Sequence, residues 1–407
     1  MRVSKVLVVV GITGNQGSSV ANAFLSLDGW HIRGITRNLS SPAAQQWISK
    51  GVELVKADLD NIASLENAFR GASAIFAVTD IYNHFFNVAN ISKALEVGIS
   101  VNEYACKLET TQGMNIALAA NSPAVSPTLT HFVYSSLSDT KRWSKRKYTW
   151  NFHFDGKALV VKRILEELPD LAAKLSTVQV GMYASNWKGG LGRPQKQEDG
   201  SFVVQIPEGP EFKLPWIVAD RDTGVYVKAL LENSPEKHTL AYSEMATWRE
   251  FWTLWAEVQN VKVGFKVVAL DEFFKSLPPI LWREFQESLM YIMEFGYTGG
   301  DPELQFANLS HELAPFNLAF VLSLEGCVSG TDIVDTTDEL HFFLDAYLGA
   351  GPVVGAGGYQ PNSMVDVSVL IKSSLGHRSI AIMTPTLYQN LLVKLGTESM
   401  AMKTADT

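Results

Sequence analysis

Through the first half of the chain, short runs rich in β-branched and aromatic residues alternate with longer stretches of mixed polarity. Val6–Val10, Ile32–Ile35, Val52–Val55, Ala74–Val78, Phe132–Tyr134 and Val178–Val180 read as buried strands. Segments between them, such as Ser18–Leu27 and Leu65–Phe69, space their apolar residues as a helix does. Buried strands that do not alternate in polarity, separated by helices, imply a parallel sheet covered on both faces. Right-handed crossovers then give an α/β, doubly wound Rossmann sheet that binds ligands at the carboxyl ends of its strands.

From about residue 190 the texture becomes rich in proline and aromatic residues. Thr247 and Glu250 form a capping-box pattern, and Trp248, Phe251, Trp252 and Trp255 follow at helical spacing. A stripe of this kind predicts core packing, the spine of a smaller α+β lid domain. The stretches Gly349-Ala350-Gly351-Pro352 and Gly355-Ala356-Gly357-Gly358 are loop chemistry, because no strand-to-helix context surrounds them. The expected division is 1–185 for the sheet domain, with its final strands open to contribution from later segments, and 186–317 for the substrate and lid region. Residues 318–407 form an extension of unknown role, for which poor order is one expectation.

Composition narrows the classes. Thirty-four basic against 42 acidic residues give a net charge of −8, which argues against direct nucleic-acid binding. The two cysteines, Cys106 and Cys327, make neither a disulfide framework nor a zinc pattern. No two histidines stand three or four apart, so no helical metal site is expected. The first apolar run is too short for a signal or a membrane span, and the default expectation is a soluble cytoplasmic protein without membrane contact.

The chemistry begins where Val6–Val10 runs into Gly11-Ile12-Thr13-Gly14-Asn15-Gln16-Gly17. Gly11 permits a tight turn, Gly14 lets a pyrophosphate approach the backbone, and Gly17 lets helix pack on strand. Thr13, Asn15 and Gln16 complete the turn, with phosphates on the N–H groups of the following helix. At the end of the second strand an NAD site would carry an acid for the ribose 2′-hydroxyl. Arg37 stands there instead, twenty positions after Gly17, and a guanidinium suits a 2′-phosphate. NADP(H) is the expected cofactor.

Further motifs follow in order: Lys56-Ala57-Asp58-Leu59-Asp60, Gln112-Gly113-Met114-Asn115, His131-Phe132-Val133-Tyr134-Ser135-Ser136, His153-Phe154-Asp155-Gly156-Lys157, Gly181-Met182-Tyr183-Ala184-Ser185-Asn186-Trp187 and Asp222-Thr223-Gly224. With the glycine turn and Arg37, this set resembles the NmrA-like family of atypical short-chain dehydrogenases, fungal members above all, over about residues 4–315. The resemblance implies cofactor contacts at Gly11, Gly14, Gly17 and Arg37. It also implies an adenine-side position at Asp58, a ribose-side position at Thr79, and a ribose-binding lysine at Lys157. The tyrosine that normally precedes that lysine by four residues is replaced by His153.

His153 is able to replace the missing phenol, since imidazole is the commonest general acid–base. Lys157 itself is the other candidate, as isoflavone-reductase-like relatives suggest, and a cofactor-holding role for both is the plain alternative. Ser136, or its neighbour Ser135, ends the fifth strand where a substrate-orienting serine belongs. Tyr183, Asn186 and Trp187 lie where a substrate pocket should open. The basic run Lys141–Lys147 reads as a nuclear address, an anion rim or a solvated loop. Two functions fit. One is an NADPH-dependent oxidoreductase reducing a carbonyl, imine or related group on a small metabolite, with fungal secondary metabolism as its setting. The other is a non-catalytic NADP(H) sensor that acts through a protein partner, with nuclear location then open.

Overall fold

The computed structural model describes residues 4–189, 192–275 and 277–304, without the side chains of residues 187–189. β1 (Lys5–Val9), α1 (Asn15–Leu25), β2 (Trp30–Thr36), α2 (Pro42–Ser49), β3 (Glu53–Lys56) and α3 (Ile62–Phe69) alternate strictly. After β4 (Ala74–Ala77) come α4 (Tyr82–Phe85), α5 (Val88–Glu96) and the long α6 (Val101–Ala120). β5 (His131–Ser136) precedes α7 (Thr140–Trp143), α8 (Phe152–Glu167), α9 (Pro169–Ala172) and β6 (Leu175–Val180). The next strands are β7 (Met182–Tyr183), β8 (Gln195–Lys196), β9 (Phe202–Pro207) and β10 (Lys213–Ile217). Then follow α10 (Ala219–Glu232), β11 (His238–Ala241), β12 (Glu244–Thr247) and α11 (Trp248–Val258). β13 (Val263–Val268), α12 (Leu270–Phe273) and α13 (Pro279–Phe295) complete the described elements.

Seven strands form one sheet in the order β3-β2-β1-β4-β5-β6-β11, and every pairing is parallel. The chain reverses direction across the sheet between β1 and β4, the switch point at which such folds bind dinucleotides. Alternate residues of β1 enter opposite cores. Leu7 and Val9 pack with Val20, Phe24 and Val227, whereas Val8 joins Leu65, Phe69 and Val160. This double burial is why the strands carry no polar alternation, and the α/β doubly wound reading stands.

The Asp222-Thr223-Gly224 stretch serves this packing. Gly224 N–H donates to Ser19 Oγ at 2.8 Å, and a Cβ on Gly224 would lie 2.2 Å from the Ser19 carbonyl oxygen. Only glycine lets α10 approach α1 so closely.

A second body of structure holds two three-stranded sheets, β12-β10-β7 and β13-β9-β8. The capping box forms as expected, Thr247 and Glu250 each accepting the other's backbone N–H. Phe251, Trp252 and Trp255 are buried, with Phe251 stacked on Trp216 at 4.0 Å between ring centres. The aromatic stripe is therefore core. Expectations for residues 318–407 lie outside the described residues.

Candidate functional site

At the head of the sheet, Gly11 adopts φ +68°, and a Cβ on Gly17 would lie 2.1 Å from the Gly11 carbonyl oxygen. The turn thus needs glycine at both positions. Gly14 caps α1 with no side-chain hydrogen bond, and no acidic residue occupies the first turn. By contrast, Ser41, Asn61, Asn87 and Ser100 cap α2, α3, α5 and α6 with their side chains. The first N–H groups of α1, around Asn15 and Gln16, are left to an anion, and exposed Thr13 borders them. Gln16 Nε2 donates to Tyr183 Oη at 2.8 Å, while Gln16 Oε1 is buried with no hydrogen-bond partner among the described residues. A dinucleotide pyrophosphate fits this donor set.

Arg37 and Asp58 come together beyond β2 and β3. They line a cleft of about 250 Å³ with Lys56, Ala57, Asn61 and Ser64. Arg37 and Lys56 are exposed, and neither side chain hydrogen-bonds or ion-pairs with a described residue. Lys56 was legible only as part of a motif. Its place beside Arg37 depends on β3 lying next to β2 in parallel, with Thr36 opposite Lys56.

The α8 end is built differently. Lys157 Nζ donates to Thr79 O at 2.6 Å, Thr79 Oγ1 at 3.2 Å and Glu109 Oε1 at 2.6 Å. All three ammonium protons are therefore engaged. Glu109 is fully buried on α6, and Thr79 Oγ1 also donates to it at 2.9 Å. Tyr134 Oη lies 3.2 Å from Thr79 Oγ1, and burial pushes this phenol well above its ordinary range. Beside the cluster, burial raises the Asp80 carboxyl to about 6, against the pull of Lys157 and Arg37. Asp80 accepts from Tyr82 N and Asn83 Nδ2, each at 2.9 Å.

His153 stands one turn before Lys157 but turns to other partners. Its backbone N–H and Nδ1 both meet Glu284 Oε1 at 2.8 Å. Its ring stacks on Phe285 at 5.6 Å and meets Phe154 edge-on. Ser136 is buried and donates to the Leu137 carbonyl oxygen at 3.3 Å, with no bond to His153 or Lys157. Asn186 is half-buried in the 3-10 turn Ala184–Gly189, and the Trp187 side chain lies outside the described residues. In the basic run, Lys147 pairs with Glu294 at 2.5 Å and Arg142 lies over Trp143, while Lys145 and Arg146 are exposed.

Glu109, Glu284 and Asp80 escaped the sequence reading. The only available signal was a carboxylate on a helix face that is otherwise apolar or small, as at Glu109. Among the described residues there is no cluster of His, Cys, Asp and Glu able to hold a metal, and no helix long and apolar enough to cross a membrane.

Comparison with known proteins places these features. A model of the NmrA-like family matches residues 3–319. The NmrA-like family domain-containing oxidoreductase cpsB of Aspergillus campestris is 26% identical over 250 residues, 58% of this chain and 66% of cpsB. The corresponding oxidoreductase malD of Malbranchea aurantiaca is 34% identical over 244 residues, 58% of this chain and 66% of malD. In both cases the match spans just under two thirds of the relative's own length. Among solved structures, Nmra, a negative transcriptional regulator, superposes with a TM-score of 0.55 at 20% identity, covering 84% of this chain and 95% of that one. That regulator has been solved with NAD and with NADP. Leucoanthocyanidin reductase with NADPH, from Vitis vinifera, gives a TM-score of 0.56 at 13% identity, covering 79% of this chain and 99% of that one. These structural likenesses show the shared fold.

Proposed function

The chain belongs to the NmrA-like family, and on that premise we propose that it is an NADP(H)-dependent oxidoreductase acting on a carbonyl, imine or related group of a small metabolite. The observation that carries the cofactor half is the pair of exposed cations, Arg37 and Lys56, in one cleft beyond β2 and β3, neither hydrogen-bonded nor ion-paired to a described residue. Two exposed cations suit a dianionic 2′-phosphate. NADPH, when bound, supplies a hydride. The residues of this chain hold it: the α1 N-terminus at the pyrophosphate, Arg37 and Lys56 at the 2′-phosphate, Asp58 on the adenine side and Thr79 near the ribose.

The oxidoreductase half is supported by the names of cpsB and malD. His153 is the residue we assign to proton transfer. Lys157 is a charged anchor, because its protons are already bound by Thr79 and Glu109. Tyr183, joined to Gln16, lines the substrate side, with Asn186 and Trp187 next to it in sequence. Ser136 supports the strand end.

The engaged lysine and the missing phenol favour a second reading, a redox sensor without turnover. Calorimetry with NADP and NAD, followed by NADPH oxidation across a panel of aldehydes, quinones and imines, separates the two. Selective NADP binding with turnover is the expected result. Tight binding without turnover across the panel would establish the sensor instead.

A further inference from the structure

α13 grips the segment that leads into α8 along one of its faces. Glu284, Glu287, Tyr291 and Glu294 recur at helical spacing and so share that face. Glu294 accepts from Tyr148 Oη at 2.8 Å, and Glu287 accepts the backbone N–H groups of Thr149 and Trp150 at 2.8 and 2.9 Å. Glu284, at the head of this row, is fully buried; its Oε1 accepts the His153 backbone N–H and lies 2.8 Å from His153 Nδ1. Its second oxygen accepts from Asn102 Nδ2 at 3.1 Å, which fixes the carboxylate from the first turn of α6.

An ionised carboxylate only accepts hydrogen bonds, so the His153 nitrogen facing it must carry a proton. In a neutral ring the lone pair then sits on Nε2. Nε2 has no hydrogen-bond partner among the described residues, and the imidazole is kept in plane by Phe285. We infer that Glu284 is a positioning residue for His153, holding the neutral ring as its Nδ1–H tautomer and leaving Nε2 to exchange a proton with substrate. This rests on the assignment of His153 to proton transfer. NADPH, when bound, would supply the hydride to the carbonyl carbon. Nε2 takes a proton from solvent and passes it to the carbonyl oxygen, and the ring returns to the neutral Nδ1–H form on Glu284. The balance is one carbonyl, one NADPH and one proton to one alcohol and one NADP⁺.

The test uses the full chain with ¹⁵N-labelled histidine and long-range ¹H–¹⁵N spectra, His153→Phe identifying the resonance. The wild type should show the Nδ1–H tautomer with and without NADPH. Glu284→Met removes the acceptor and should raise the Nε2–H share several-fold, since nothing then requires a proton on Nδ1. With 9,10-phenanthrenequinone and NADPH as probes, kcat of Glu284→Met should fall about 10–100-fold, part of the usual general-acid contribution, with KM for NADPH unchanged. A purely structural latch would move NADPH affinity and kcat together. An Nε2–H ring in the wild type would overturn the inference even if Glu284→Met fails to fold. A variant with altered tautomer and unchanged turnover would overturn it as well. Absence of probe turnover in the wild type would count against the oxidoreductase reading, while the wild-type spectrum still decides the tautomer.

Discussion

Arg37 and Lys56 beyond β2 and β3, and Lys157 on α8, are all cations expected to serve one ligand, but they live under different electrostatic rules. The first two are exposed and make no hydrogen bond or ion pair with a described residue. Water solvates them, so they stay charged at little expense until an anion arrives. Lys157 is buried, and a buried ammonium must find its counter-charge within the fold. Glu109 supplies it at 2.6 Å. A site residue in the open is thus free to serve the ligand alone, whereas one in the interior serves the fold first.

The sharpest way to break this contrast is to remove the buried cation. Lys157→Ala leaves Glu109 uncompensated and should lower stability in urea, with no cofactor present, by about 3–5 kcal/mol. The double variant Lys157→Met/Glu109→Gln should recover most of that loss. If Lys157→Ala is as stable as its parent, the lysine is not an anchor.

A second buried charge sharpens the same point. Asp155 is almost fully buried on α8, and burial raises its carboxyl to about 6, although Lys141 pulls the other way. The folded state therefore binds this proton more tightly than the unfolded chain does. Its contribution to stability is largest below the unfolded pKa and declines as pH rises from about 4 through 6. Asp155→Asn should gain on the wild type across that window, by on the order of 2–3 kcal/mol at pH 7. Thermal melts from pH 4 to 7.5 check the sign, and a stability difference that stays flat with pH would contradict it.

Smaller effects belong to the exposed end, and they should appear only with ligand. Arg37→Glu should weaken NADP binding by about 1.5–3 kcal/mol, the scale of one charged hydrogen bond, and Lys56→Ala by a comparable or lesser amount. Both variants should melt within about 0.5 kcal/mol of wild type when no nucleotide is present. Equal calorimetric affinities of the wild type for NADP and NAD would remove the 2′-phosphate argument.

The same contrast explains which parts of the site were legible in advance. The glycine turn, Arg37 and Asp58 lie within or just after single strands, and their chemistry follows from local spacing. Lys56 stood in a quoted motif, but its partnership with Arg37 needed the β2–β3 pairing. Glu109 and Lys157 are 48 residues apart, and Glu284 and His153 are 131 apart. No periodicity links such pairs. Likewise, Asp222-Thr223-Gly224 was recognised as a motif, while its work at the α1–α10 contact appears only once both helices are packed.

Sequence alone determined the parallel sheet, the glycine turn and the aromatic core of the second body, because each follows from burial or backbone geometry within one element or its neighbour. Tertiary structure decided the hydrogen-bond partners of the α8 residues. Those partners come from α6 and α13, and a buried charge takes whatever counter-group the fold carries to within hydrogen-bond reach, at any distance along the chain.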